Sequence, residues 1–124
     1  MNLLEGHRAA VTGGASGIGR AIALGYADQG AEVVVLDIDG AAAEEVRDEI
    51  AGAGHAAHAM TLDVRDRAAC VVAAADIAGS IGEISILVNN AGINRRNPVT
   101  GDAGTVAGDW DDIMRVNLDG VFNV

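Results

Sequence analysis

The stretch that most constrains this chain is RAAVTGGASGIG, residues 8–19, followed by EVVVLD at residues 32–37. An apolar run ends at Thr12, passes through Gly13, Gly14, Gly17 and Gly19, and opens into a segment with helical spacing. Glycine has no side chain to block a close approach, and it reaches backbone angles that other residues avoid. A helix that starts there presents unpaired N–H groups and the positive end of its dipole to an anion. Asp37 closes the second apolar run, where a carboxylate can accept hydrogen bonds from both hydroxyls of a ribose. Strand, glycine loop, helix, strand and acid, in that order, is the context a dinucleotide-binding fingerprint demands.

The rest of the chain repeats the unit. Residues 8–12 read as a first strand, 18–28 as a helix closed by Gly30, and 32–37 as a buried strand. Residues 41–50 read as a second helix ended by AGAG. HAAHAMTLD holds a weaker third strand, 65–78 is helical by propensity, and ISILVNN (84–90) is the fourth strand. Residues 93–108 are rich in Gly, Asn, Thr and Asp, contain Pro98, and read as a loop. A last helix is expected from Asp109, acting as N-cap, with Trp110, Ile113, Met114, Val116 and Leu118 on an apolar side. Alternation of this kind predicts one α/β domain over residues 1–124. Its doubly wound, Rossmann-like parallel sheet is expected to stand incomplete after the fourth strand and the following helix.

Composition enters where it excludes partners. Half the residues are hydrophobic, but there is only one each of Trp, Tyr and Phe, so the core is built from Ala, Val, Ile and Leu. A formal charge of −10 argues against nucleic acid and anionic membrane surfaces. No signal-like or membrane-length apolar stretch is visible, and a reducing cytoplasmic setting is the expectation. The single Cys70 lies in an apolar stretch and reads as a buried, inert thiol. No grouping of His, Cys and carboxylate has ligand spacing, so no metal is expected; His7, His55 and His58 read as ordinary strand or loop residues.

Asp37 predicts NAD as the cofactor. A carboxylate there repels a 2′-phosphate, and neither Ser16 nor Ile38 is a basic residue that would welcome one. The alternative is that Asp37 only closes the turn before Asp39 and Gly40.

In four ordered stretches the sequence resembles the short-chain dehydrogenase/reductase family: TGGASGIG (12–19), LDV with Asp63, NNAG (89–92), and Asn117 in the last helix. The resemblance spans the whole chain. It implies a phosphate cradle of Gly13, Gly17 and Gly19, with Ser16 and Ile18 lining the cofactor and Asp37 on the adenosine ribose. Asp63 and Val64 would meet the adenine, and Asn90, Ala91 and Gly92 would form the floor under the cofactor. Asn117 matches the asparagine that anchors a water in the family's proton relay. Two alternatives stand beside these roles: Asp63 capping the following helix, and Asn117 facing solvent.

The same resemblance exposes a gap. The family's chemistry uses a tyrosine with a lysine at i+4, yet this sequence has no lysine, and its one tyrosine, Tyr26, falls in the first helix with Gly30 at i+4. An unperturbed phenol titrates near pH 10 and is a poor base at neutral pH without a neighbouring cation. The residues are therefore expected to supply the cofactor half of an NAD-dependent oxidoreductase and to be inactive alone. The other readings are a non-catalytic NAD-binding module and a non-functional fragment.

Arg95 and Arg96, just after NNAG, resemble the gluconate and deoxygluconate dehydrogenase branch, where paired guanidiniums would bind a substrate carboxylate; solvated loop arginines are the alternative. The closing NLDGVFNV also resembles 3-oxoacyl-carrier-protein reductases. The partners this implies are a small-molecule substrate in the complete enzyme, and either a further copy of the chain or another polypeptide that completes the sheet.

Overall fold

A computed structural model describes residues 2–92, 103–115 and 117. The elements run β1 (Arg8–Thr12), α1 (Gly17–Asp28), β2 (Glu32–Asp37), α2 (Gly40–Gly52), β3 (Ala57–Thr61), α3 (Arg67–Ser80), β4 (Ile86–Asn89) and α4 (Ala103–Met114). All pairings are parallel, in the order β3-β2-β1-β4. The fold is doubly wound and Rossmann-like. The chain steps from β1 outward to β2 and β3, then returns to the other side of β1 for β4. That reversal leaves a crevice at the carboxyl ends of β1 and β4, where Thr12 stands opposite Asn89.

The unbroken apolar run of β2 follows from burial on both faces. Successive side chains point to opposite sides of a strand. Val33 and Val35 therefore join Val11, Ala23, Ala27, Ala43, Val46 and Ile50 under α1 and α2. Val34 and Leu36 join Ala10, Leu62, Val64, Cys70, Ala73 and Ile77 under α3. Val33, Val34 and Val35 are fully buried, each contributing about 1.5–3 kcal/mol through removal from water. The helices meet the sheet through alanines such as Ala23, Ala27 and Ala43, so a core without large aromatics still closes tightly.

Two readings need correction. α4 begins at Ala103, so Asp109 lies inside the helix and is not its N-cap. Gly104 and Gly108 suggest a loop, but a helical glycine costs only about 1 kcal/mol relative to alanine, and the intervening residues tolerate a helix. α3 begins at Arg67 because Asp66 caps it, its side chain accepting from the Ala69 amide at 3.1 Å. The cap is thus Asp66 and not Asp63. In keeping with a sheet expected to stand incomplete after its fourth strand, β4 pairs among the described residues with β1 alone, and Leu87 is 44% exposed. The expected apolar positions Val116 and Leu118 lie outside the described residues.

At the opposite end of the sheet from the crevice, Glu32 sits between Arg8 and His58. It pairs with Arg8 across β1 and β2, and its other oxygen lies 3.1 Å from His58 Nε2 on β3. The hydrogen bond from His58, and then the Arg8 guanidinium, hold the Glu32 carboxyl below its ordinary 4.5, with burial opposing. A depressed carboxylate stabilises the fold above its unfolded value and loses that contribution as pH falls through the folded value. Wild-type Tm should therefore drop as pH falls below about 4.5. Glu32→Gln should melt lower at pH 7 but with a flatter acid limb, measured by circular dichroism from pH 7 to 3. Parallel acid limbs for the two proteins would remove Glu32 from the account.

Candidate dinucleotide site

The crevice is a cleft of about 510 Å³. β1 delivers Thr12 and the glycine loop to one wall, and β4 delivers Asn90, Ala91 and Gly92 to the floor. The ends of β2 and β3 deliver Asp37 and Asp63 to the far rim. Of the residues expected to hold a dinucleotide, Gly13, Ser16, Ile18, Asp37, Asp63, Val64, Asn90, Ala91 and Gly92 all line it. Gly17 and Gly19 are not among its lining residues.

Each glycine of the loop is there for a local reason. Gly13 has φ +63°, and a β-carbon on it would come within 2.9 Å of Ala91 Cα. Gly17 also takes a left-handed angle, φ +57°, as the chain turns into α1. Gly19 is limited by space alone: a β-carbon there would fall 2.1 Å from the Gly13 carbonyl oxygen and 2.3 Å from Asn90 Nδ2.

The start of α1 differs from those of α2 and α3. Asp39 and Asp66 cap the latter two through their side chains. Ser16, the N-cap of α1, makes no side-chain capping hydrogen bond. The first-turn amides of α1 therefore receive no side-chain acceptor from their own N-cap.

Asp37 is half-buried at the rim and ties the loop to β2. Its Oδ2 accepts from the Ala15 amide at 3.1 Å, and its Oδ1 accepts from the Asp39 amide at 3.0 Å. It thus closes the turn before Gly40 and also faces the cleft. Beside it Ile38, and across the mouth Ile18, are 61% and 74% exposed. Apolar side chains so placed are suited to cover a planar base.

Asp63 is gripped by Arg65 through both side-chain and backbone hydrogen bonds. The Arg65 side chain is the main reason that the Asp63 carboxyl is held below its ordinary value. Asn117 comes beside the floor: its Oδ1 lies 3.2 Å from where a β-carbon on Gly92 would stand. Arg95 and Arg96 lie outside the described residues. Cys70 is buried, and burial pushes its thiol up, away from reactive thiolate. Tyr26 packs against the cluster under α1 and α2 and is absent from the cleft lining.

Two contributors escape the sequence reading. The Thr12 hydroxyl, 1% exposed, accepts from the amides of Asn90 and Ala91, each at 3.1 Å, and donates to the Val88 carbonyl at 3.3 Å. Asn90 Nδ2 in turn donates to the Gly13 carbonyl at 3.1 Å. These bonds stitch the glycine loop to the floor. Arg65 is the second, and an acid and a base two residues apart at a strand end was the available signal.

A family model described as short chain dehydrogenase matches residues 7–124. D-threitol dehydrogenase of Mycolicibacterium smegmatis is 40% identical over 119 residues, covering 96% of this chain and 45% of that protein. Gluconate 5-dehydrogenase of Gluconobacter oxydans is 39% identical over 121 residues, covering 98% and 46%. Among solved structures, gluconate 5-dehydrogenase from Burkholderia cenocepacia in complex with NADP and tartrate superposes with a TM-score of 0.88 at 41% identity. It covers 98% of this chain and 46% of that one. The chain spans about half the length of the relatives it matches.

Proposed function

The chain belongs to the short-chain dehydrogenase family, and from that premise we propose that it forms the NAD-binding part of an oxidoreductase acting on a polyol or sugar acid. The observation that carries the choice of cofactor is the Asp37 carboxylate on the cleft rim, followed by apolar Ile38. There it is suited to accept from the adenosine ribose hydroxyls, and it opposes a 2′-phosphate by like charge. The α1 amides and the glycine loop would hold the pyrophosphate, and Asn90, Ala91 and Gly92 would floor the nicotinamide end.

When bound, the dinucleotide would accept or donate the hydride. The chain's own groups bind and orient it. Asn117 beside Gly92 is suited to hold a water on a proton path. We assign the cofactor site to these residues, and not the general acid, because they include no lysine and Tyr26 is packed away from the cleft. Binding without turnover is therefore the expectation for these residues alone. The substrate class rests on the names of the threitol and gluconate relatives and on Arg95 and Arg96 as a carboxylate pair. The Burkholderia relative was solved with NADP, so the cofactor preference is the point to test.

Fluorescence titration with NADH and NADPH decides it. NADH is expected to bind at least about tenfold more tightly, a difference of about 1.4 kcal/mol. Asp37→Asn keeps an acceptor for the Ala15 amide but removes the charge, and should cut the preference by about tenfold. Tighter uptake of NADPH by the wild type would overturn NAD, and uptake of neither would overturn the site.

A further inference from the structure

The turn that leads from Asp37 into α2 is held by its own hydrogen bonds. The Asp37 carboxylate accepts from the Ala15 amide at 3.1 Å and from the Asp39 amide at 3.0 Å, and the Asp39 carboxylate accepts from the Ala42 amide at 3.1 Å. A further hold comes from β3. Thr61 pairs in register with Asp37, and the Leu62 amide donates to the Asp37 carbonyl at 2.9 Å. One step of the pleat earlier, Val35 and Ala59 pair in the same register and both pack under α2, so Asp37 and Thr61 leave the sheet on that face as well. There Thr61 meets the first residue of α2. A β-carbon on Gly40 would stand 2.1 Å from Thr61 Oγ1 and 3.3 Å from Thr61 Cβ. Gly40 does not take a left-handed angle, so space and not backbone conformation requires glycine there. Thr61 branches at its β-carbon and is stiff at χ1, so the hydroxyl does not turn aside freely. The start of α2 therefore rests on β3 as closely as a glycine permits, and the turn from Asp37 to Gly40 has no slack on that side.

Resting on the reading of the cleft as an NAD site, we infer that Thr61 is a positioning residue for cofactor choice: with Gly40 it seats the start of α2, and that seat holds Asp37 where it opposes a 2′-phosphate. Thr61 is absent from the cleft lining, so it acts through the turn. A side chain at position 40 lifts the first residue of α2 from β3 and draws Asp39 with it. The Asp39 amide then leaves Asp37 Oδ1, and of the two amides only Ala15 still holds the carboxylate. A carboxylate free to turn loses its alignment with the ribose hydroxyls and can swing away from a phosphate. NADH loses affinity and NADPH does not.

That difference separates positioning from general damage, which would weaken both cofactors alike. NADH and NADPH are titrated by fluorescence into the full chain and into Gly40→Ala, Thr61→Ala, Thr61→Ser and the Gly40→Ala/Thr61→Ala double variant. From a wild-type preference for NADH of about tenfold, Gly40→Ala should fall to about twofold and Thr61→Ala to about threefold. Thr61→Ser keeps the hydroxyl and should keep the preference. The double variant moves bulk from one side of the contact to the other and should return to within about twofold of the wild-type preference. Thr61→Ala, at an exposed position on β3, carries the test if Gly40→Ala does not fold. A preference unchanged in Gly40→Ala and Thr61→Ala overturns the inference and leaves the NAD site standing. A loss in Gly40→Ala that the double variant does not repair also overturns it, because the glycine then acts on something other than Thr61. A wild type that does not prefer NADH overturns the cofactor reading, and the inference with it.

Discussion

Gly19→Ala abolishes dinucleotide binding and lowers the unfolding free energy by about 3 kcal/mol; this is the expected result, and overpacking of a closed contact is its cause. The backbone angle at Gly19 is not the obstacle, since Gly13 and Gly17, not Gly19, take the left-handed region within the loop. The obstacle is a β-carbon 2.1 Å from the Gly13 carbonyl oxygen and 2.3 Å from Asn90 Nδ2. Neither atom can withdraw independently, because each is the other's hydrogen-bond partner at 3.1 Å. Relief requires either breaking that bond or backing α1 away from the loop, and both displace the amides that would hold the pyrophosphate. Gly25, on the exposed side of the same helix, is the control: nothing lies within 4 Å of its absent β-carbon. Gly25→Ala should leave binding unchanged and stabilise by up to about 1 kcal/mol through helix propensity. Thermal melts and NADH titrations of the two variants measure the contrast. Wild-type affinity in Gly19→Ala would mean that the loop does not form the cradle.

That contrast also shows why part of the site is readable from sequence and part is not. The interiors of β1 and β2 follow from residue type alone, because a strand buried on both faces has an apolar interior. The glycine loop and Asp37 are legible because their roles depend on local order along the chain: loop after strand, helix after loop, acid at the next strand end. The start of α4 is not legible because glycine near a helix lowers its stability without forbidding it, so Gly104 and Gly108 read equally well as loop. LDVRD holds two aspartates, either of which could cap the next helix. Only the geometry assigns Asp66 to the cap and leaves Asp63 to Arg65. Thr12 is the hardest case, since its partners Asn90 and Ala91 lie 78 and 79 residues away along the chain. Nothing periodic in the sequence links them; the sheet order does.

The remoteness of those partners makes Thr12→Val the most informative stability test. Valine has nearly the shape of threonine and the same branching at the β-carbon, so β1 keeps its strand propensity and its packing. What disappears is one oxygen. Because Thr12 is 1% exposed, water has no ready access to replace it. The Ala91 amide loses its acceptor, the Asn90 amide keeps the Val88 carbonyl at 3.1 Å, and that carbonyl loses the hydroxyl donor. Leaving a part-buried amide without its acceptor costs about 1–3 kcal/mol, so the variant should lose about 2 kcal/mol in chemical denaturation. Thr12→Ser keeps the oxygen and removes only a methyl, and should cost about 1 kcal/mol. Binding should follow stability, because the three bonds meet at the point where β1 and β4 part and the cleft opens. Freed from Thr12, the segment carrying Asn90 can drift from the loop, and the hydrogen bond from Asn90 to the Gly13 carbonyl goes with it. NADH affinity is expected to fall at least about tenfold in Thr12→Val and to stay within about twofold of wild type in Thr12→Ser. Equal stability of the valine and serine variants would show that packing of the side chain, and not its hydroxyl, holds the two strands at the spacing the cleft needs.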